Sequence, residues 1–448
     1  MTEDKDWTAR SMQLSDEVSR ALTNFAEWLT RYGEMSRDHQ TFFAGVTGQA
    51  AKALYYRHKL LGTAAVAPMI FCEAFVPSAR RFFHRPTRFP IADAHYAMGF
   101  AFLFQVTNDH AYLRRAIHFL EELKKSRCPG FGEYCWGYPY DWATRNGTIK
   151  EQTPLITSTP YAYEAFLHVH ELDGREEWKD VMASIARHAF RDIKDFSISE
   201  NASSCSYTPF DKGGVINAAA YRSFLLTSAS QIFSREEYWL TAERNLNFVL
   251  DNQNPDGSWF YAVDGVRDFV DHYHTCFVMK ALAKIHALTG HAATLEALRK
   301  AVSYYLKNLF DDDGPKPFSK APRLTVYKRE LYDCAECINL CMLLRDRFPA
   351  LETTLEKVIE HTLEAWVKRD GSFRSRKLTL GWDNVPMHRW GQSQMFRSLA
   401  FYLHKALVAG SKRADARDQK GNADQISERL CANLREARAK LGSLTCDL

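Results

Sequence analysis

Residues 254–288 read NPDGSWFYAVDGVRDFVDHYHTCFVMKALAKIHAL, and this stretch contains the pattern that decides the fold. It begins with an Asp-Gly turn at Asp256-Gly257 and ends in a run that is apolar on nearly every side. The same turn recurs at Asp313-Gly314 and Asp370-Gly371, in steps of 57 residues. Such even spacing indicates a structural unit that is repeated along the chain.

A second series marks the starts of the apolar runs, and its members are 57 or 58 residues apart: Thr159, Asn217, His274, Tyr332 and Arg389. A helix that is apolar all round packs on several sides. The runs that precede them, such as residues 236–250, instead carry charge on one face and apolar residues at i, i+3, i+4 and i+7 on the other. The pattern therefore predicts alternating inner and outer helices, with a long loop before each inner helix.

A two-helix unit buries its apolar face only against its neighbours, and a closed ring lets every unit do so. We therefore predict a single all-α domain over residues 1–409, an (α/α)6 toroid with long loops at one end; seven hairpins are the alternative. Residues 18–32 with 47–60, and residues 91–104, are expected to supply the hairpins upstream. Residues 410–448 are predicted to form a charged linker and an amphipathic helix, which docks on the outside or on a second copy.

Composition places the chain among globular proteins, with 448 residues, 46% hydrophobic and 25% charged. A net charge of +4 gives no electrostatic case for nucleic acid or an anionic membrane as the main partner, although it leaves a local patch open. The polar start of the chain predicts no secretory signal. The longest apolar stretch, residues 63–77, contains Glu73 and two prolines, so no membrane span is predicted and we expect a cytoplasmic protein.

The long loops emerge at one end of a toroid, so residues at equivalent repeat positions converge on one cavity. Its predicted lining mixes aromatic rings with amides and charged groups, which suits sugars because their C–H faces stack on rings while their hydroxyls take polar partners. The predicted substrate-binding residues are Tyr138, Tyr140, Trp142, Tyr207, Asp211, Asn217, Trp259, Tyr261, Tyr273, Tyr332, Trp382, His388, Arg389, Trp390 and Gln392.

The densest group of chemical side chains is Asp271-His272-Tyr273-His274, at an inner-helix start. Asp271 is either the N-cap of that helix or a carboxylate for glycosidic chemistry. The two histidines are either proton acceptors or hydrogen-bonding residues of the loop. Carboxylates recur at matching levels of other repeats, and with Asp211 they form a pool from which any two could make the working pair. The predicted catalytic residues are Asp141, Asp271, His272, His274, Asp333 and Asp383.

Arg389 is the remaining charged candidate. A guanidinium grips a carboxylate in a forked geometry, so an acidic sugar would explain it, and a structural ion pair with a loop Asp is the alternative. No metal or cofactor is predicted. Cys334, Cys337 and Cys341 fall on one helix face, where free cysteines usually act as small hydrophobic residues.

The repeat over residues 90–407 resembles the α/α-toroid superfamily, which includes glycoside hydrolases, uronate lyases, sugar epimerases and terpene cyclases. Residues 253–259, QNPDGSW, resemble the Gln/Trp repeat of the cyclases. Trp390-Gly391-Gln392 followed by Arg397 is similar to the C-terminal part of glucuronyl C5-epimerases. Residues 136–142, WGYPYDW, are similar to toroid proteins encoded with bacterial polysaccharide-assembly genes. The resemblance implies a carbohydrate-active protein.

Three functions remain open on these grounds. The first is hydrolysis of a glycosidic bond in a poly- or oligosaccharide by two of the cavity carboxylates. The second is elimination or epimerisation of a uronate, with a Tyr or His base and with Arg389 holding the sugar carboxylate. The third is a non-catalytic glycan-binding subunit of polysaccharide biosynthesis. The sugar, the linkage and the oligomeric state are not given by the sequence.

Overall fold

The computed structural model of the chain describes residues 2–322 and 325–416, and most of them are helical. The helices are α1 Thr2–Tyr32, α2 Thr41–Ala44, α3 Val46–Arg57, α4 Lys59–Phe75, α5 Pro90–Thr107, α6 His110–Lys125, α7 Thr159–Asp173, α8 Glu176–Arg191, α9 Ile216–Phe233, α10 Glu236–Asp251, α11 His272–Thr289, α12 Ala292–Asn308, α13 Leu331–Leu344, α14 Ala350–His361 and α15 Ser393–Ala416. A 3-10 helix, Pro77–Phe82, follows α4, and π-helical turns occur at Thr362–Trp366 and His388–Gln392.

Short strands occur only in the connections of the described chain. They are β1 Trp142–Thr144, β2 Gly147–Ile149, β3 Asp195–Ser197, β4 Ser203–Cys205, β5 Val270–Asp271, β6 Phe310–Asp311, β7 Gly314–Pro315, β8 Phe318–Lys320, β9 Tyr327–Glu330, β10 Arg376–Leu378 and β11 Trp382–Asp383. All pairs are antiparallel, and the order β11-β10-β9 joins the loops on either side of α13 and α14. The strands therefore stiffen the loops that carry the candidate site.

Six helices form a closed inner ring. α5, α7, α9, α11, α13 and α15 pack in this order, and α15 packs back on α5. Their residues are buried on nearly all sides, as at Phe277, Val278 and Leu282 of α11. Outer helices α6, α8, α10, α12 and α14 each pack on the inner helix before them, and α1 packs beside α15. This confirms the predicted all-α toroid with six hairpins, the sixth of which is built from both ends of the chain.

The repeated Asp-Gly turns share one backbone conformation. Gly257, Gly314 and Gly371 have φ values of +92°, +101° and +93°, a region that glycine enters without strain. At two of the turns the aspartate side chain also closes the loop: Asp256 and Asp370 each accept a bond of 3.0 Å from the N–H two residues later. The period read from the sequence thus reflects a local conformation that several repeats reuse.

Residues 36–88 form a helical insertion between α1 and α5, and here one expectation from sequence is wrong. The run at residues 47–60 was expected to join the ring, but α3 packs on α4 around a small separate core that contains Phe42, Val66 and Met69. The physical reason is that α3 buries only Gly48 and Ala51, too little apolar surface to fill a place in the ring.

Three buried ion pairs fix this insertion to the connection between α14 and α15. They join Asp38 to Arg389 at 2.5 Å, Glu73 to Arg376 at 2.7 Å and Arg80 to Asp383 at 2.7 Å. Gln49 of α3 also donates to the backbone oxygen of Asp141. The insertion therefore lies over the loop end of the toroid, the end at which the candidate site was predicted.

The final helix continues to Ala416, through the first residues of the predicted linker. The predicted C-terminal amphipathic helix, and any oligomer contact through it, lie outside the described residues. Within residues 2–322 and 325–416, none of the helices combines the length and apolar composition needed to cross a membrane.

Candidate active site

Aromatic side chains from four loops and from the first turns of α11 and α13 form a continuous wall at the loop end. Trp390 stacks on Tyr332 with ring centres 4.5 Å apart, and Tyr273 meets both rings edge-on at 5.3 Å. The wall continues through Arg389, whose guanidinium lies 4.6 Å from the ring of Tyr138. Its remaining members are Trp142, Tyr207 and Tyr261. We call this set the aromatic wall; all its members were predicted to bind substrate.

An Asp–His pair sits at one end of the aromatic wall. Asp271 Oδ2 lies 2.6 Å from His274 Nδ1, and Asp271 Oδ1 accepts the backbone N–H of His274 at 3.1 Å. The carboxylate is 1% exposed and caps α11, so the capping interpretation is correct and the aspartate holds the imidazole as well. No described residue bonds to His274 Nε2, and the side chain is 21% exposed.

The pair borders a small cavity of about 10 Å³, which is room for one water-sized group. Five of the predicted residues meet here: Asn217, Trp259, Tyr261, Asp271 and His274. An open groove of about 440 Å³ adjoins it and shares Ile216 and Phe260 with its lining. The groove runs along the α10–α11 loop and has the volume of a small-molecule site.

The other predicted carboxylates have different surroundings. Asp141 is bonded to Lys150 at 2.8 Å, an interaction that lowers the pKa of Asp141, and it also holds the β1–β2 hairpin through Glu151 N–H. Asp211 accepts bonds from the backbone of its own loop at Tyr207 and Gly213. Asp383 is fully buried against Arg80. These three carboxylates stabilise loops rather than line the cavity.

Asp333 differs from these three carboxylates, because it is buried without a hydrogen-bond partner among the described residues. It is fully buried, and neither carboxyl oxygen has a hydrogen-bond partner among the described residues. Burial raises its pKa well above the usual value, and the charges of Glu330 and Asp271 raise it further. Asp333 is therefore a buried carboxyl group within electrostatic reach of Asp271.

Several predicted residues face away from the aromatic wall. His272 is buried against outer helix α12, where Tyr305 bonds to its Nε2 at 2.8 Å. His388 is buried between Tyr96 and the backbone of Gly33. The Gln392 side chain donates to the backbone oxygen of Phe373 at 2.8 Å and accepts the backbone N–H of the same residue at 3.0 Å.

Two more aromatic residues that were predicted to bind substrate lie outside the aromatic wall. Tyr140 is 4% exposed and packs beside Tyr138 and Phe89. Trp382 packs edge-on against Trp366 and lies under the cations of Arg374 and Lys377. Both support neighbouring loops.

Arg389 makes the structural ion pair that was one of its two predicted roles. Its Nε donates to Asp38, a loop aspartate, at 2.5 Å. Its guanidinium lies near the rings of Tyr138 and Trp390, and its buried Nη2 has no hydrogen-bond partner among the described residues. Its second predicted role, binding a substrate carboxylate, stays a prediction.

Sequence reasoning missed His39 and Glu330. The ring of His39, in the insertion, lies 4.5 Å from that of Trp390, and burial together with the charges of Arg376 and Arg389 lowers its pKa well below the usual value. Glu330 accepts a bond from the Trp390 indole at 3.2 Å, and burial raises its pKa. His39 precedes Trp390 by 351 residues, so no local pattern could link them.

An ionic cluster on the toroid axis was also missed. Lys280 pairs with Glu336, Lys284 pairs with Glu164, and Arg397 lies 3.8 Å from Glu336. All come from inner helices, one to three turns after their starts. A signal was present, because a charge inside an all-round apolar run, such as FVMKALA at 277–283, must find a buried partner.

No family model matches this chain, and no curated protein matches it. Solved structures do match. A cellobiose 2-epimerase from Bacillus thermoamylovorans has a TM-score of 0.56 at 9% identity, with 71% of this chain and 88% of that chain covered. A polysaccharide lyase gives 0.53 at 9% identity, covering 76% and 97%. An inactive variant of an α-1,6-mannanase from Salegentibacter sp. HEL1_6, in complex with α-1,6-mannotriose, gives 0.51 at 15% identity, covering 72% and 90%.

The structures that this chain resembles are α/α-toroid carbohydrate-active enzymes. At such low identity the likeness shows the fold.

Proposed function

We propose that this protein is a carbohydrate-active enzyme that moves a proton on an acidic sugar, with His274 as the base. The α/α-toroid fold, shared with an epimerase, a lyase and mannanases, supports a carbohydrate substrate. The aromatic wall supports it independently, because stacked rings offer flat faces to the C–H faces of sugars. The groove along the α10–α11 loop would receive the sugar chain.

The Asp271–His274 pair carries the proposal. The carboxylate at 2.6 Å from Nδ1 favours the tautomer that carries its proton on Nδ1. Nε2 then has a free lone pair on the side that has no protein partner among the described residues. This is the arrangement that a general base requires: an accepting nitrogen, an orienting carboxylate and an adjacent space for the reacting group.

Histidine is a better candidate for the base than tyrosine. Burial raises the pKa of both Tyr261 and Tyr273 above the usual value of the phenol, so each keeps its proton at neutral pH. They are suited to donate hydrogen bonds to sugar oxygens. Of the Tyr and His bases considered from sequence, His274 is therefore the one that we propose.

The substrate class follows from Arg389. Its unpartnered Nη2 would bind a carboxylate of a uronate, on the reacting sugar or on its neighbour. In the proposed reaction Nε2 takes the proton at C5, next to the carboxylate. The electron pair then either expels the C4 oxygen, which takes a proton from water and leaves an unsaturated uronate, or takes a proton from water on the opposite face, which epimerises C5. In both cases His274 returns the proton it removed to solvent.

The test is to incubate the protein with uronate-containing oligosaccharides in D2O. Deuterium at C5 by NMR would show epimerisation, and ultraviolet absorbance of an unsaturated uronate would show elimination. We expect His274→Ala to lower either rate at least about 100-fold, the typical contribution of a general base. His118→Ala, at an exposed histidine of α6, is the control. Equal rates for the His274→Ala and His118→Ala variants would exclude His274 as the base.

Glycosidic hydrolysis is the second candidate, and Asp333 favours it. Hydrolysis uses two carboxyl groups, and burial raises the pKa of Asp333, which would protonate the leaving oxygen while Asp271 acts on the other face. Release of reducing ends from neutral oligosaccharides would identify this reaction. It would be abolished by Asp271→Asn and by Asp333→Asn, with no deuterium at carbon in the products.

A further inference from the structure

The helical insertion exposes an unusual amount of apolar surface. Of the 21 large apolar side chains exposed among the described residues, nine fall between Val46 and Phe82. The most exposed of these are Val46 at 89%, Leu60 at 88% and Phe82 at 75%. Isolated exposed apolar residues are common, but a cluster of this kind marks a contact surface.

Helix α4 is apolar on two opposite faces. Gly62, Val66, Met69 and Glu73 are buried, and this face lies towards α3 and the toroid. The opposite face carries Leu60, Ala64, Ala67, Phe71 and Phe75, spaced four, three, four and four residues apart, and every one of these side chains is exposed. No described residue covers this second face.

Cations surround this exposed face. Between Gln40 and Phe89 the sequence has seven Lys or Arg residues and one acid, Glu73. Two of the seven are neutralised by partners elsewhere, because Arg80 is buried against Asp383 and Arg88 pairs with Glu34, Asp93 and Glu122. Arg57 and Lys59 are exposed beside Leu60 at the start of α4. Arg81 is exposed and lies over the ring of Phe82, with its guanidinium 4.6 Å from the ring centre.

We propose that the exposed face of α4, together with the 3-10 helix at Pro77–Phe82, binds the surface of an anionic phospholipid membrane. A helix that presents apolar side chains flanked by Lys and Arg lies in the headgroup region with its apolar face inserted, while its cations contact anionic headgroups. The three buried ion pairs that fix the insertion to the toroid would hold the loop end of the enzyme near the bilayer.

Charge argues against the two other occupants. A second copy would bring the same exposed cations, Arg57, Lys59 and Arg81, against those of the first. Residues 417–448 carry six Lys or Arg residues and five acids, so they offer no net negative charge to this face. An anionic lipid surface complements both the apolar residues and the cations.

Vesicle flotation with the full chain tests the proposal. We expect binding to vesicles of phosphatidylcholine mixed with phosphatidylglycerol, weaker binding to phosphatidylcholine alone, and release by salt. The double variant Leu60→Glu/Phe71→Glu should lose at least about ten-fold in bound fraction. Ile198→Glu/Leu240→Glu, which places the same charges on exposed apolar positions elsewhere, should bind as the unmodified protein does.

A second pair of variants isolates the cations. Lys59→Glu/Arg81→Glu should weaken binding to the anionic vesicles, whereas Lys307→Glu on outer helix α12 should not. Absence of binding by the full chain at low salt would overturn the proposal. So would a dimer in sedimentation that Leu60→Glu/Phe71→Glu dissociates without any effect on vesicles, because the occupant would then be a second copy.

Discussion

His388 shows how a single residue can belong to the candidate site by sequence and to the core by structure. It precedes Arg389 and Trp390, which lie in the aromatic wall, yet it is fully buried. Its Nε2 donates to the Gly33 oxygen at 3.0 Å, and its Nδ1 accepts from the Tyr96 hydroxyl at 2.6 Å. The bond that Nδ1 accepts needs the neutral ring, and burial disfavours the charged ring, so protonation opposes folding at this position.

This predicts an acid dependence of stability. Burial lowers the pKa of His388 from 6.5 to about 4, so between these values the unfolded chain binds a proton that the folded chain does not. The free energy of unfolding should fall as pH drops from 6.5 towards 4, by up to about 3 kcal/mol from this residue. Denaturant unfolding of the protein and of a His388→Gln variant across this range measures it. The variant should be less stable at pH 7 and show a smaller decrease; parallel curves would contradict the assignment.

Among the structural elements, the Asp-Gly turns lie at the beginning of the last three long loops, after α10, α12 and α14. Two of them also bring the chain against the next element: a Cβ on Gly257 would lie 2.5 Å from the Lys300 oxygen, and one on Gly371 would lie 2.4 Å from the Asn24 oxygen. Gly314 has the same backbone conformation with nothing within 4 Å of such a Cβ. Substitutions at the three glycines can therefore distinguish the effect of the positive φ, which all three share, from the effect of close packing, which only Gly257 and Gly371 have.

Alanine substitutions at these turns should differ accordingly. Gly314→Ala should cost about 1 kcal/mol from the positive φ alone. Gly257→Ala and Gly371→Ala should each cost more than about 2 kcal/mol, because the methyl group also meets a fixed backbone oxygen. Thermal and denaturant unfolding of the three variants gives the comparison. Equal losses at all three positions would mean that the close contacts to Lys300 and Asn24 are unimportant.

In the whole molecule, two features complete the toroid. Helix α1, from the start of the chain, fills the outer position beside α15, and buried ion pairs join the inner helices on the axis. α1 takes the outer place beside α15, and Phe25 of α1 stacks on Phe396 of α15 at 5.2 Å. On the axis, Lys280 of α11 and Glu336 of α13 pair in full burial. Burial lowers the pKa of Lys280 to about 8, so its charge depends on that partner.

Removing one partner of the Lys280–Glu336 pair should greatly lower the free energy of unfolding. Lys280→Met leaves Glu336 with only the more distant Arg397, and we expect a loss of about 3–5 kcal/mol in unfolding free energy. Lys280→Met/Glu336→Leu should recover part of that loss, since no uncompensated charge remains. Arg299→Met, at an exposed pair with Glu296, should cost under about 1 kcal/mol. If the double variant were less stable than Lys280→Met, the unpaired charge of Glu336 could not be the cause of the stability loss in Lys280→Met.

The sequence by itself determined the ring. The 57-residue period, the Asp-Gly turns and the contrast between all-round apolar and one-sided helices are local properties, since backbone conformation and helix periodicity are set by residues close in the chain. The aromatic wall was accessible for the same reason: its members occupy equivalent repeat positions, and a closed ring brings such positions together.

Only the tertiary structure decided which charged groups have partners. Asp383 is paired to Arg80 and Arg376 to Glu73, each across 303 residues, and Arg389 to Asp38 across 351. All three partners belong to the insertion, which lies outside the repeat and gives no periodic signal. A carboxylate's chemistry depends on the charges and solvent within a few ångströms, and those neighbours are set by packing between distant segments.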